Sequence, residues 1–265
     1  MTTCILWFRQ DLRLHDNPAL IAAQKSGLAI VPVFILDDET SGEWRAGGAA
    51  RWWLHPSLKA LDLSLDQTLI VRSGAAESLI PAIVKEFSAK AVFWNRCYEP
   101  WRIARDKNIK DSLLKQGIVT ESYNASLLWE PWEVLKSDGT PYKVFTPFYR
   151  RGCLSAKPPS LPQKKPAGLA LHERPGPLGL EKLALLPKKP TPRWDTKMEE
   201  HWIIGEKGAR QRLQDFLDEG IAGYKEGRNF PAKANVSRLS PYLHFGEISP
   251  REVWHASERA GLAQG

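Results

Sequence analysis

Residues 4–36 read CILWFRQDLRLHDNPALIAAQKSGLAIVPVFIL. Two unbroken apolar runs, CILWF at 4–8 and AIVPVFIL at 29–36, enclose a segment of helical character. Short runs rich in β-branched and aromatic residues predict strands buried on both faces. Between them, Asn17 suits a helix N-cap, Pro18 the first helical position and Gly27 the residue past the last turn, so NPALIAAQKSG at 17–27 predicts a helix. Pro32 is expected to demote the start of the second strand or to place it near an edge, because proline donates nothing to a ladder.

The alternation continues outward. AARWWLHPSLKALDLSL at 49–65 has helical period, with a kink or break expected near Pro56. TLIVRS at 68–73 predicts a strand, AAESLIPAIVKEFS at 75–88 a helix and AVFWN at 91–95 a strand. WRIARDKNIKDSLLKQG at 101–117 predicts a helix ending at Gly117, and IVTESYN at 118–124 closes the series. Strand–helix alternation with short links gives the expected fold class, α/β, as a doubly wound parallel sheet over residues 1–130. Ligands in such sheets sit beyond the carboxyl ends of the strands, which here carry residues 9–11, 37–38 and 95–99.

The chain has 265 residues, of which 43% are hydrophobic, enough for a sizeable core. A net charge of +7 and a pI near 9.3 suit a polyanionic partner or an anionic cofactor. Cys4, Cys97 and Cys153 are scattered and form no CxxC, which argues against a disulfide framework or a metal site and fits a reducing cytosol. MTTCILWFRQ is not read as a signal peptide, and no apolar run is long enough to span a bilayer. The expectation is a cytoplasmic monomer without membrane contact. GxGxxG, Walker A, HExxH and GxSxG are all absent, so ordinary NAD binding, P-loop hydrolysis, zinc proteolysis and serine-hydrolase chemistry lose weight. The six histidines lie apart and are read as structural.

From 157 to 193 the sequence turns rich in proline and lysine, as in KPPSLPQKKPAG and LLPKKPTPRW, and reads as an extended, solvated surface linker. GEKGARQRLQDFLDEGIAGY at 205–224 has helical period, with Leu213, Phe216, Leu217 and Ile221 on one face. SPREVWHASERAG at 249–261 predicts a further helix, with Ser249 at the N-cap, Pro250 at N1 and Glu252 at N3 completing a capping box. The domain expectation is an α/β domain over 1–130, a long linker over 131–200 and a helical segment over 201–265.

Three constellations carry chemistry. FRQDLRLHDNPAL at 8–20 places Arg9, Asp11, Arg13 and Asp16 after a strand, either as an ion-pair network fixing a loop or as a polar rim for a ligand. YKVFTPFYRR at 142–151 mixes aromatics with arginines, either to stack bases or to anchor the linker through clustered bulky residues. In YKEGRNFPAKANVSRLSPYL at 224–243, Ser237 can cap a helix beginning with RLS, whose free first-turn amides suit an anion; Ser240 adds a hydroxyl, Arg238 a charge and Tyr224 a phenol. The two readings there are a diphosphate cradle without a glycine loop and plain helix capping.

LWFRQDLRLHDNPAL at 6–20, GGAARWWLHPSL at 47–58, YKVFTPFYR at 142–150 and NVSRLSPYLHFGEISPREVW at 235–254 together resemble the DNA photolyase/cryptochrome family, in the family's order and spacing. The resemblance is strongest to a bacterial class I deoxyribodipyrimidine photolyase. It covers the antenna domain, the linker and the first helices of an all-α FAD-binding domain, and family members continue well beyond Gly265. It implies FAD, folded into a U, in the helical domain. The family's diphosphate segment, T-S-x-L-S, falls on Val236, Ser237, Arg238, Leu239 and Ser240. An upstream tyrosine that touches FAD falls on Tyr224, and an arginine that contacts DNA in photolyases falls on Arg228. Val236 replaces the family's threonine and removes one hydroxyl contact, worth ~1 kcal/mol net. Where folate-binding relatives carry an asparagine–glutamate pair, this chain has Trp101 and Arg102, against a folate antenna of the usual kind; folate, deazaflavin or no antenna chromophore stay open.

The resemblance implies light-driven transfer of one electron from reduced FAD to a cyclobutane pyrimidine dimer flipped out of damaged DNA, whose basic-surface contacts supply affinity. No residue of this chain is assigned a catalytic or metal-binding role. Because the isoalloxazine and adenine pockets come from later residues, the chain alone is expected neither to hold FAD tightly nor to repair DNA, and residues 201–265 are expected to be marginal alone. Trp52, Trp53, Trp94 and Trp132 are read as core or interdomain packing. The alternatives are a cryptochrome-type photoreceptor without repair activity and a non-catalytic nucleotide- or chromophore-binding module of residues 1–130.

Overall fold

In β1 (Thr3–Phe8) every side chain is buried, and neighbours point to opposite faces. Cys4, Leu6 and Phe8 join one apolar core; Ile5 and Trp7 join another. A strand buried on both sides needs helices on both sides, and the computed structural model, which describes residues 2–187, 194–230 and 232–264, supplies them. The strands β1, β2 (Ala29–Leu36), β3 (Ile70–Ser73), β4 (Ala89–Asn95) and β5 (Val119–Tyr123) form one parallel sheet in the order β3-β2-β1-β4-β5. The crossover helices are α1 (Pro18–Lys25), α2 (Gly48–Ser64), α3 (Ala76–Glu86) and α4 (Pro100–Lys115). α1 and α2 cover the Leu6 face, α3 and α4 the Trp7 face. This is the expected doubly wound α/β architecture.

The expected caps of α1 are present. Asn17 Oδ1 accepts the Leu20 amide at 3.1 Å, and Gly27 follows the last turn with φ of +70°. α2 is not broken: it runs continuously through Pro56, because Trp52, Trp53, Leu54, Leu58 and Leu61 are buried along its length. β2 is an interior strand, yet Pro32 lies at a local gap in its outer edge. Pairing with β3 starts only at Val33, while just before Pro32 the amide of Ile30 donates to Ala170 of the linker. The missing donor thus falls where no partner strand is present.

The linker is extended but not loosely solvated. Leu171 bridges to Ile30, Gln24 Nε2 donates to the Ala167 carbonyl at 2.6 Å, and Arg174 Nη1 donates to Asp62 Oδ1 at 2.6 Å. Leu180, Leu183 and Leu185 are buried in the Leu6-side core. Composition pointed to solvation because lysine and proline dominate; the sparse leucines decide the outcome. The part KKPTPR, 188–193, lies outside the described residues.

The helical stretch expected over 205–224 is present but changes pitch along its length: α5 (Glu206–Asp215), a wide π-type turn Phe216–Gly220, a tight 3-10 turn Ile221–Gly223 and a short α-helical turn Tyr224–Gly227 follow one another without a gap. α6 (Ser240–Phe245) and α7 (Pro250–Gln264) then meet at Gly246. Its φ is +67°, and a Cβ there would lie 2.5 Å from the Gln10 carbonyl carbon. Leu12 N–H donates to the Phe245 carbonyl at 3.1 Å and Arg13 Nη1 to that of Gly246 at 2.9 Å. Leu239, Tyr242, Phe245 and Ile248 consequently share one core with α1 and α2. In the whole chain this corner finds its packing partner in the α/β domain. The capping box of α7 is half made. Ser249 Oγ accepts the Arg251 amide at 3.1 Å, but Glu252 pairs with Arg210 Nη2 at 2.8 Å instead of turning back.

Trp52, Trp53 and Trp94 are buried as expected, whereas Trp132 is 61% exposed. The 142–151 stretch is no buried anchor: Phe145 is 73% exposed and stacks on Tyr149 with ring centroids 5.9 Å apart. No helix among the described residues is long and apolar enough to cross a membrane.

Candidate functional site

Asn235 assembles the segment from Tyr224 to Ser240. Gly220, Gly223 and Gly227 recur along the helical path, and Asn235 seats against them. Its Nδ2 donates to the Gly220 carbonyl at 3.1 Å. A Cβ at Gly223 would lie 2.5 Å from Nδ2, and one at Gly227 would lie 2.5 Å from Cγ. The absent side chains at Gly223 and Gly227 therefore let the 235–240 segment lie against the turn bearing Tyr224 and Arg228. The Arg228 guanidinium lies 5.7 Å from the centre of the Tyr224 ring.

The bend itself differs from the sequence expectation. Ser237 does not cap a helix beginning at Arg238. Its Oγ accepts the Leu239 amide at 3.4 Å within a local turn, Arg238 takes a φ of +53°, and α6 starts at Ser240 without a side-chain cap on Leu239. Short polar side chains compete with helix geometry in this way. The amides of Ser237, Arg238 and Ser240 have no acceptor among the described residues, and the Ser240 and Arg238 side chains are exposed. Val236 is half-buried and adds no donor side chain; Leu239 is buried in the core, anchoring the bend. This strip of unengaged N–H groups with one exposed hydroxyl fits an anionic diphosphate.

A second candidate lies where the strand order reverses. β2 lies on one side of β1 and β4 on the other, and a cleft of about 360 Å³ opens at the carboxyl ends of β1 and β4. Gln10, Asp11, Arg96, Cys97, Tyr98 and Glu99 line it, and Leu243 and His244 of α6 close it. Arg102 Nη1 donates to Gln10 Oε1 at 2.7 Å and to Cys97 Sγ at 3.2 Å, with its guanidinium 4.9 Å from the Trp101 ring centre. Burial, and then the hydrogen bond to Glu130, push the Tyr98 phenol up, so it stays a neutral donor. Burial, reinforced by Arg102, holds the His244 imidazole below its usual value and therefore neutral near pH 7. Neutral Tyr98 and His244 and the Arg96 guanidinium thus share the cleft with the carboxylates of Asp11 and Glu99.

The acidic strand ends serve the scaffold. Asp11 accepts from the Arg9 amide and from Asn95 Nδ2, each at 2.6 Å. Asp37 accepts from Ala76 N at 3.2 Å and Arg105 Nη1 at 3.1 Å, capping α3 from another element. The 8–20 constellation is thus mainly a structural network, with Gln10 and Asp11 alone from it lining the cleft. Among the described residues no group of three or more His, Cys, Asp or Glu side chains could hold a metal ion. Asn235 escaped the sequence reading, although its signal, glycines three and four residues apart ahead of a lone asparagine, is visible there. Arg102 meets Gln10 across 92 positions of the chain, which leaves no local trace.

Residues 4–167 match the family model described as DNA photolyase. The chain is 42% identical over 258 residues to the deoxyribodipyrimidine photo-lyase of Agrobacterium fabrum, covering 96% of this chain and 53% of that protein. Against cryptochrome-1 of Arabidopsis thaliana it is 37% identical over 266 residues, covering 95% of this chain and 37% of that protein. A bacterial class III photolyase from Agrobacterium tumefaciens matches in structure with a TM-score of 0.90 and 40% identity, over 100% of this chain and 54% of that one. The resemblance in sequence pointed to class I; this solved neighbour is of class III. The chain spans about half the length of the photo-lyase it matches.

Proposed function

We propose, for a chain that belongs to the DNA photolyase family, that it forms the light-harvesting part of a deoxyribodipyrimidine photolyase together with the first FAD contacts. In this reading residues 1–130 are the antenna domain, 131–200 the linker and 201–265 the start of the flavin domain. The protein acts as a cytoplasmic monomer on DNA containing pyrimidine dimers. Its antenna chromophore, a folate or a deazaflavin, sits in the cleft at the ends of β1 and β4.

FAD, when bound, supplies the electron that splits the dimer. The residues of this chain bind and orient it. The amides of Ser237, Arg238 and Ser240 and the Ser240 hydroxyl donate to the diphosphate, Leu239 fixes the bend to the core, and Tyr224 offers its phenol from the neighbouring turn. Val236 contributes packing alone. Arg228, on the same turn as Tyr224, takes a DNA phosphate.

The observation that carries this reading is Asn235 seated on Gly223 and Gly227, which brings Tyr224 and the 236–240 bend to one place. Titration of the purified chain with FAD, followed by flavin fluorescence, tests it. Ser240→Ala and Asn235→Ala should each weaken binding severalfold; unchanged affinity in both would remove the assignment. The similarity to Arabidopsis cryptochrome-1 favours a second reading, a blue-light photoreceptor. Blue-light repair of a thymine-dimer oligonucleotide by a version extended to the length of its relatives separates the two, and binding of a nucleotide or chromophore without flavin would favour a non-catalytic module of residues 1–130.

A further inference from the structure

Glu247 lies in the turn between α6 and α7 and is fully buried. Its Oε2 accepts one hydrogen bond, from Trp53 Nε1–H of α2 at 3.0 Å. Its Oε1 has no partner among the described residues, and neither has the buried Ser57 Oγ, one turn further along α2. No ion pair to Glu247 occurs among the described residues. Aromatic rings wall the carboxyl: Trp53 meets Trp202 at 5.1 Å and Tyr242 at 5.2 Å edge to face, and stacks on Phe245 at 6.1 Å. A carboxylate so placed has lost its water and faces only neutral donors.

Each element packed around it is accounted for. α2 presents Trp53 and Ser57, and the loop before α5 presents the Gly205 amide. α6 presents Tyr242, beyond which lie Arg212 and Asp215 of α5. Arg13, from the loop after β1, is bonded to the neighbouring Gly246 carbonyl.

We propose that Glu247 is a proton-operated latch between the helical segment and the α/β domain: as a carboxylic acid it closes the junction, and as a carboxylate it loosens it. Ser57 Oγ and the Gly205 amide lie close enough to favour the carboxylate but make no well-aligned bond to Oε1, so burial decides for the acid form. Burial pushes the carboxyl from 4.5 up to about 7, against the opposing pull of Ser57, Trp53 and the Gly205 amide. The folded form therefore holds the proton more tightly than the unfolded one. The contribution of Glu247 to the junction is fully present below 4.5, falls as pH rises towards 7 and is lost above it. That interval corresponds to roughly a hundredfold change in the closing constant. The 236–240 bend leads directly into α6, so its attachment follows the same proton.

Amide hydrogen exchange of residues 239–255 in the whole chain, corrected for intrinsic rates and followed from about pH 5 to 8, tests the latch. Protection in the wild type should fall by roughly a hundredfold, and Glu247→Gln, uncharged throughout, should stay closed and lose this step. His55 and His244, both held low mainly by burial, titrate equally in the two proteins and cancel. Trp53→Phe removes a bond that favours the carboxylate, so the carboxylic-acid infrared band should persist to higher pH; this measurement decides the matter if Glu247→Gln fails to fold. Identical pH profiles in wild type and Glu247→Gln, or a Trp53→Phe midpoint that does not rise, would overturn the proposal.

Discussion

Arg251, in the first turn of α7, grips Asp16 at two points, Nη2 to Oδ1 at 2.7 Å and Nε to Oδ2 at 2.9 Å. Asp16 has no exposed side-chain surface, and Ser249 donates to the same carboxylate. The loop after β1 is thereby riveted to the helical segment by charge as well as by apolar packing.

Removing one partner of such a pair strands a buried charge. Arg251→Met should destabilise the chain by about 3–5 kcal/mol in denaturant unfolding. Asp16→Asn in the same background should recover part of the loss, because it removes the stranded charge and asparagine tolerates the φ of +47° found there.

The seat of Asn235 makes a double-mutant prediction. Gly227→Ala places a methyl group where the Asn235 side chain sits and should cost about 1–3 kcal/mol. Asn235→Gly, which also removes the Cβ that the new methyl group would meet, vacates that space, so the double variant should be more stable than the sum of the two single losses predicts. Additive losses in denaturant titrations would show that the two residues do not meet.

Asp37 gives a pH prediction of opposite sign to that of Glu247. Burial pushes its carboxyl up, but bonds from Thr40 and Ala76 and then Arg105 outweigh it and hold the carboxyl below 3.8. The stability it contributes is present above that value and is lost as pH falls through the lower folded value. Asp37→Asn should therefore cost about 1–2 kcal/mol at neutral pH, and the gap from wild type should close in acid, as read by thermal unfolding at a series of pH values.

Val236→Thr restores the hydroxyl expected at the first position of the bend. If the diphosphate lies there, flavin affinity should rise by about fivefold, or ~1 kcal/mol, in fluorescence titration. An unchanged constant would place the phosphates elsewhere.

The sheet was legible because its evidence is local. Runs such as AIVPVFIL, together with Asn17, Pro18 and Gly27, carry strand, cap and stop signals within a few residues of where they act. Errors arose where distant packing overrode local preference. Pro56 is held in a continuous helix by buried tryptophans and leucines on both sides of it, and Glu252 turns to Arg210 because that cation lies on another helix. At the candidate site, the hydroxyls and Tyr224 were readable as residue types. Their assembly was not, since it depends on Asn235 fitting against Gly223 and Gly227 and bonding the Gly220 carbonyl across a chain reversal.

The linker is sewn along the sheet domain at Asp16, Ile30 and Asp62, while the segment after it is gripped separately at Gln10, Asp16 and Trp53. A protease that nicks the exposed stretch near Lys164 would accordingly sever the covalent thread without separating the pieces. The fragments should co-elute as one particle and come apart only when the whole is unfolded.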